Sequence, residues 1–228
     1  MKVFFTNSWD ELEGKLKKLG RATLIEKSDD IKSKIRVSIS NTTTNVDLRD
    51  VLEFLANLGY DFVGLKGFDD ASLGIEIKKA NTVEEILKLE DFETLNSLIR
   101  KIKENEKSEE CGAIGIFVGF VRKLSDNKEV LRLEYEKFDE IFDEKLKEIE
   151  NKLKSYEGVV DVKIYHKSGI IFPKEDIVYV VVMGKHRKDI WEPLKQSMEI
   201  IKKELPIWKK EVFIDGEVWV HDKLEADG

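Results

Sequence analysis

One cysteine, three prolines and three histidines are all that a chain of 228 residues holds of those types. With Cys111 alone, no disulfide can close within the chain and no cysteine cluster can hold zinc or an iron–sulfur centre, so a reducing cytoplasm is the expected compartment. His166 and His221 lack partners at metal-ligand spacing and read as structural or surface residues; no metal site and no bound cofactor is expected. No run of about 18 apolar residues occurs. The first dozen residues carry Asp10 and Glu11 instead of an apolar stretch ending in small residues, so neither membrane spanning nor secretion is supported. Positive charge is also short, with 39 Lys and Arg against 46 Asp and Glu and a net charge of -7. That balance argues against a nucleic-acid binder, which needs surplus cations to displace counterions from the phosphate backbone. Any anionic ligand must therefore be met locally.

What is present is enough apolar material, 41% of the chain, for a buried core, and a charged fraction of 37% compatible with ion-pair networks. Lys2 to Thr6, Ala22 to Ile25, Ile35 to Ile39 and Phe62 to Leu65 read as strands, with helices from Trp9 to Leu19 and from about Val46 to Leu58. Asn41-Thr-Thr-Thr-Asn45 reads as a polar loop. Thr82 with Glu85 has capping-box spacing, and Phe92, Leu95, Leu98, Ile99 and Ile102 repeat at helical spacing. This half is βαβ-like. The nearly all-charged KIKENEKSEE, Lys101 to Glu110, has the composition of a solvated linker, so the domains are expected at 1–107 and 108–228.

Beyond that segment, Ala113 to Val121, Val130 to Tyr135, Val159 to Tyr165 and Ile177 to Met183 read as strands. Phe138, Ile141, Phe142, Leu146, Ile149 and Leu153 make one helical stripe, and Trp191, Leu194, Met198 and Ile201 a second that ends before Pro206. Asp215-Gly216 is a two-residue hairpin signal between Ile207 to Ile214 and Glu217 to Val220. The expected fold class is α+β: two helices against a mostly antiparallel sheet, preceded by a smaller α/β domain. In this acidic chain a few cations stand at element ends: Arg122 after one strand, His186 and Arg187 after another, and Lys202 and Lys209 on either side of Pro206. If they converge they form an anion pocket, with Arg offering a planar fork and Lys a compact charge. Taken singly each has a plainer reading: Lys202 and Lys203 suit a helix C-terminus, Arg122 a surface, and His186-Arg187 a solvated basic loop.

The motifs GAIGIFVGFVR, LRLEYEKF, YHKSG, GKHR and LKQSMEIIKKELPIWKKE, in this order over about residues 111 to 221, resemble the catalytic (large) subunit family of molybdopterin synthase. The resemblance implies an α/β hammerhead-like C-terminal domain and an enzyme that moves sulfur from a small ubiquitin-like carrier, with a C-terminal Gly-Gly thiocarboxylate, to cyclic pyranopterin monophosphate. Two transfers would form the dithiolene of molybdopterin. A homodimer of this chain within a heterotetramer is the implied assembly. By motif, Lys202 and Lys209 match the family's active-site lysines, Lys202 being the first choice for acid/base work. Arg122, His186 and Arg187 match its substrate pocket, with Lys210 a weaker neighbour. The alternative is a pterin-binding or scaffold protein of the same pathway without turnover. The stretch DVLEFLANLGYDFVGLKGFDDA is similar to the later part of the adaptor family of molybdopterin-guanine dinucleotide biosynthesis. That family's phosphate-binding loop is missing here, where the first strand runs into FFTNSWDELEGK. Loss of nucleotide binding and a docking or stabilising role are then expected of this half.

Overall fold

Short runs rich in β-branched and aromatic residues become the strands of the computed structural model, which describes residues 1–27, 35–39, 42–68, 76–125 and 127–220, with backbone alone at 35–39, 42–46, 139 and 140. His221 lies outside the described residues. Two compact units result, Met1–Ser97 and Leu98–Gly228.

The first unit contains β1 (Lys2–Phe5), α1 (Trp9–Leu16), β2 (Ala22–Glu26), β3 (Ile35–Ile39), β4 (Thr42–Val46), α2 (Leu48–Asn57), β5 (Phe62–Lys66) and α3 (Val83–Leu87); α4 (Leu95–Lys103) follows. β1, β5 and β2 form a parallel sheet with β5 central, and Phe62, Val63, Gly64 and Leu65 are all buried, as a strand covered on both faces requires. Gly64 lets Trp9 cross this strand, because a Cβ there would lie 2.7 Å from the Trp9 ring. Phe4, Trp9, Leu12, Leu16, Phe62 and Ile86 make the core. The Thr82–Glu85 capping box forms as its spacing predicts. Of the segment expected as a polar loop, Asn41 to Asn45, Asn41 lies outside the described residues and the remainder does not stay a loop. Thr42–Val46 is β4, paired antiparallel with β3, because consecutive threonines favour extended backbone even where they bring no apolar surface. KIKENEKSEE, expected as a solvated linker, is mostly exposed but carries local helical structure. α4 continues to Lys103 with Ile102 buried, and a 3₁₀ turn spans Glu106–Glu110, capped by Asn105, whose side chain accepts from Lys107 N at 2.9 Å.

The second unit holds β6 (Ala113–Phe120), β7 (Leu124–Ser125), β8 (Lys128–Lys137), α5 (Asp139–Lys154), β9 (Val159–His166), β10 (Gly169–Ile171), β11 (Asp176–Gly184), α6 (Trp191–Glu204), β12 (Ile207–Phe213) and β13 (Gly216–Trp219). Its strands form two antiparallel sheets, β6-β11-β9 and β10-β8-β12-β13, with β7 beside β8. One apolar cluster joins Phe142, Ile149 and Leu153 of α5, Ile201 of α6, and Val162, Ile164, Val178, Val180 and Val182 of the first sheet. A second gathers Val130, Leu133 and Tyr135 of β8, Ile171 and Phe213. Both expected stripes are narrower than their sequence suggests: Trp191 is 63% exposed, and Phe138 and Ile141 also face solvent. The hairpin turn is shifted by one residue, to Ile214-Asp215, with Phe213 and Gly216 as the closing pair.

The first sheet has two edges, and they differ. On β9 the outward N–H of Ile164 is taken by the Glu150 carboxylate at 2.8 Å; burial pushes that carboxyl above its usual range. On β6, eight residues without a charge, no described side chain caps the backbone in this way. Such an edge is a template for another strand.

Candidate active site

β6 and β11 run antiparallel, with Ala113 opposite Gly184 at one end and Phe120 opposite Asp176 at the other. Arg122 stands exposed just past Phe120, on a chain pinned at Val121, which donates to Glu175 O and accepts from Lys174 N, both at 2.9 Å. Lys209 belongs to the same end: it lies opposite Tyr135, whose ring meets the His166 ring edge-on at 4.9 Å, and His166 pairs with Val178 near the start of β11. Glu211, two residues along β12 and so on the same face, accepts from the Lys209 ammonium at 2.5 Å. Glu211 is buried and its second oxygen, Oε2, has no hydrogen-bond partner among the described residues. Burial, with the Glu211 charge beside it, pushes the Tyr135 hydroxyl far above the ordinary tyrosine range.

Lys202 sits exposed in the last turn of α6. That helix starts where Ile190 and Leu194 crowd Gly115. It packs along β6 and β11, and its 14 residues span about 20 Å, so its C-terminal turn lies away from the Gly184 end. Lys210 is directed elsewhere. Strand alternation turns it to the other face, where Glu134 holds it at 2.7 Å, Glu217 lies at 3.5 Å and the Trp219 ring sits beneath it.

His186 and Arg187 occupy the opposite end, in a 3₁₀ turn over Arg187–Asp189 directly after β11. Lys185, His186, Arg187 and Lys188 are all exposed, and with Gly112 they line an open groove of about 630 Å³. A strand of eight residues spans roughly 27 Å, so one chain places Arg122 and Lys209 at one end of β6 and the His186 turn at the other. Sequence reasoning missed Glu211 and Tyr135. The Lys209–Glu211 spacing of two in a strand was the available signal for the first, whereas Tyr135 needed the β8–β12 register. No group of three His, Cys, Asp or Glu among the described residues could hold a metal, and no described helix is long and apolar enough to cross a membrane.

An α+β domain with exposed cations at both ends of one open-edged strand has side chains of the kind that pair with small anions. The family model described as MoaE protein matches residues 90–204. A probable molybdopterin synthase of Haloferax volcanii is 34% identical over 169 residues, covering 71% of this chain and 65% of its own length. The molybdopterin synthase catalytic subunit of Bacillus subtilis is 36% identical over 130 residues, 57% of this chain and 80% of its own. The crystal structure of molybdopterin synthase from Staphylococcus aureus superimposes with a TM-score of 0.50 at 30% identity, over 55% of this chain and 90% of that one. The chain belongs to the MoaE family and is an enzyme of molybdenum-cofactor biosynthesis.

Proposed function

We propose that this chain transfers sulfur from the thiocarboxylate of a small carrier subunit to cyclic pyranopterin monophosphate, in a site that two copies of the chain build together. The observation that carries this reading is the placement of cations at both ends of β6. Antiparallel pairing of β6 with its copy across a two-fold axis sets the Arg122 end of one chain against the partner's Ala113 end, with the partner subunit's His186 and the partner subunit's Arg187. Two equivalent sites follow from one interface. Arg122 and the partner subunit's Arg187 then clamp the phosphate, since guanidinium forks match its oxygens. Lys209, held by Glu211, is a fixed ammonium for substrate or carrier carboxylate. Lys202, whose side chain makes no described ion pair, is free to move a proton during transfer.

The second unit carries this chemistry, in the expected domain from about 108 onward, and the first is an accessory module for docking or stability. Coverage of 71% of the chain by the Haloferax relative exceeds the 57% that Leu98–Gly228 represents, so similarity to that relative reaches into the first unit. The cytoplasm, where pterin and carrier chemistry runs under reducing conditions, is the proposed compartment. Purified chain mixed with thiocarboxylated carrier and pyranopterin monophosphate should yield molybdopterin, and Lys202→Ala should lower the rate by about 10²-fold or more. Wild-type rate in that variant would remove Lys202 from its role; pterin binding without turnover by the wild type would favour a scaffold instead.

A further inference from the structure

The turn that carries His186 and Arg187 sets three side-chain cations, Lys185, Arg187 and Lys188, within four consecutive exposed residues, and of these Lys185 has a described ion pair, with Glu110 at 3.1 Å. The backbone of the turn is held by Asp189. Its Oδ2 accepts the backbone N–H of His186 at 2.9 Å, and its own N–H donates to His186 O at 3.0 Å, closing the turn on itself. The carboxylate is wedged against Gly158, at φ +79°, where a Cβ would fall 2.3 Å from Asp189 Cγ. Gly158 O in turn accepts from Lys185 N at 2.9 Å, and a Cβ on Gly184 would meet Asp189 Cβ at 3.3 Å. Two glycines from different segments therefore leave a seat that one aspartate fills, with Ile190 buried behind it.

We propose that Asp189, seated on Gly158, is a positioning residue of the sulfur-transfer site: it acts through the backbone of His186 to hold the His186 and Arg187 side chains where the substrate phosphate is bound. The proposal rests on the function proposed above. Asp189 does this because its short side chain sets an acceptor oxygen against the His186 N–H and closes the turn locally. Glutamate at 189 would not fit the seat, whereas asparagine keeps an acceptor oxygen of the same reach.

The test uses the full-length chain with carrier and pyranopterin monophosphate, together with amide hydrogen exchange at His186. Asp189→Ala should speed exchange of the His186 amide and raise KM for the pterin on the order of tenfold, with kcat changed far less. Asp189→Asn should behave like wild type in both readouts. In a His186→Ala, Arg187→Ala background, which turns over too little for kinetics, adding Asp189→Ala should leave the directly measured Kd for pyranopterin monophosphate unchanged, because the groups it positions are already gone. A wild-type KM and wild-type exchange in Asp189→Ala would overturn the proposal, as would a further weakening of that Kd in the triple variant. If the wild-type chain itself makes no molybdopterin, the proposed reaction fails and the positioning claim, which depends on it, falls with it; normal turnover with an unaffected Asp189→Ala refutes the positioning claim alone.

Discussion

His166 and His186 carry the same side chain, and burial gives them opposite uses. His186 is exposed beside Arg187, whereas His166 is 6% exposed, with Nδ1 bonded to Lys167 O at 2.7 Å and its ring against Tyr135. Burial, with a smaller push from the Lys137 charge and against the Lys167 hydrogen bond, lowers the His166 pKa to about 4. An imidazole in the unfolded chain titrates near 6.5, so between those values the unfolded state binds the extra proton. The neutral ring's contribution is thus complete above about pH 6.5 and is lost progressively as pH falls toward 4, a difference of roughly 3 kcal/mol. Denaturant titrations from pH 7 to pH 4 should show a steeper fall in stability for the wild type than for His166→Phe, because other titrating groups are common to both. Parallel curves would contradict the burial argument. At the same scale, Lys209 and Lys210 are adjacent in sequence yet differently placed, since alternation gives one to Glu211 and the other to Glu134 and Trp219. The sequence resemblance implied a pocket role for both, with Lys210 the weaker, and the register turns the two to opposite faces of β12.

β6 is the element on which the reading turns. Its sequence, AIGIFVGF, is legible as a strand, and its glycines serve close approach: a Cβ on Gly119 would lie 2.7 Å from Val178 Cγ1. That it is an edge was not legible, because strand order is decided by pairings such as β6 with β11 that join residues some sixty positions apart. The same non-locality explains why one antiparallel sheet was expected and two are present, and why the opposite placement of Arg122 and His186 was invisible until the register was known. Local signals fared better: the Thr82–Glu85 cap, the α5 and α6 periodicities and the stop before Pro206 all appear where side-chain spacing predicts them. At Thr42–Val46 polarity suggests a loop, and the β-branching of the threonines overrides it. Ile116, 40% exposed on β6, offers a test of the edge. A lysine there should weaken strand-to-strand association between copies. Sedimentation of Ile116→Lys should show a monomer, and turnover should fall even though every proposed site residue is intact; an unchanged dimer with full activity would contradict the β6 interface.

At the scale of the whole molecule, the net charge of -7 makes the local cation clusters more informative, because they stand against the field of the chain that carries them. Two units, one with a small parallel sheet and one with the MoaE fold, share that chain. In the proposed arrangement Arg122, Lys202 and Lys209 of one copy work with the His186 turn of another. Co-expression of Lys202→Ala chains with Arg187→Ala chains decides it. If the site is shared, every mixed dimer regains one intact site of two. Random pairing then returns about a quarter of wild-type molybdopterin synthesis from two variants that are each inactive alone. Activity that stays at the level of the separate variants would mean that each site lies within one chain, contradicting the shared arrangement.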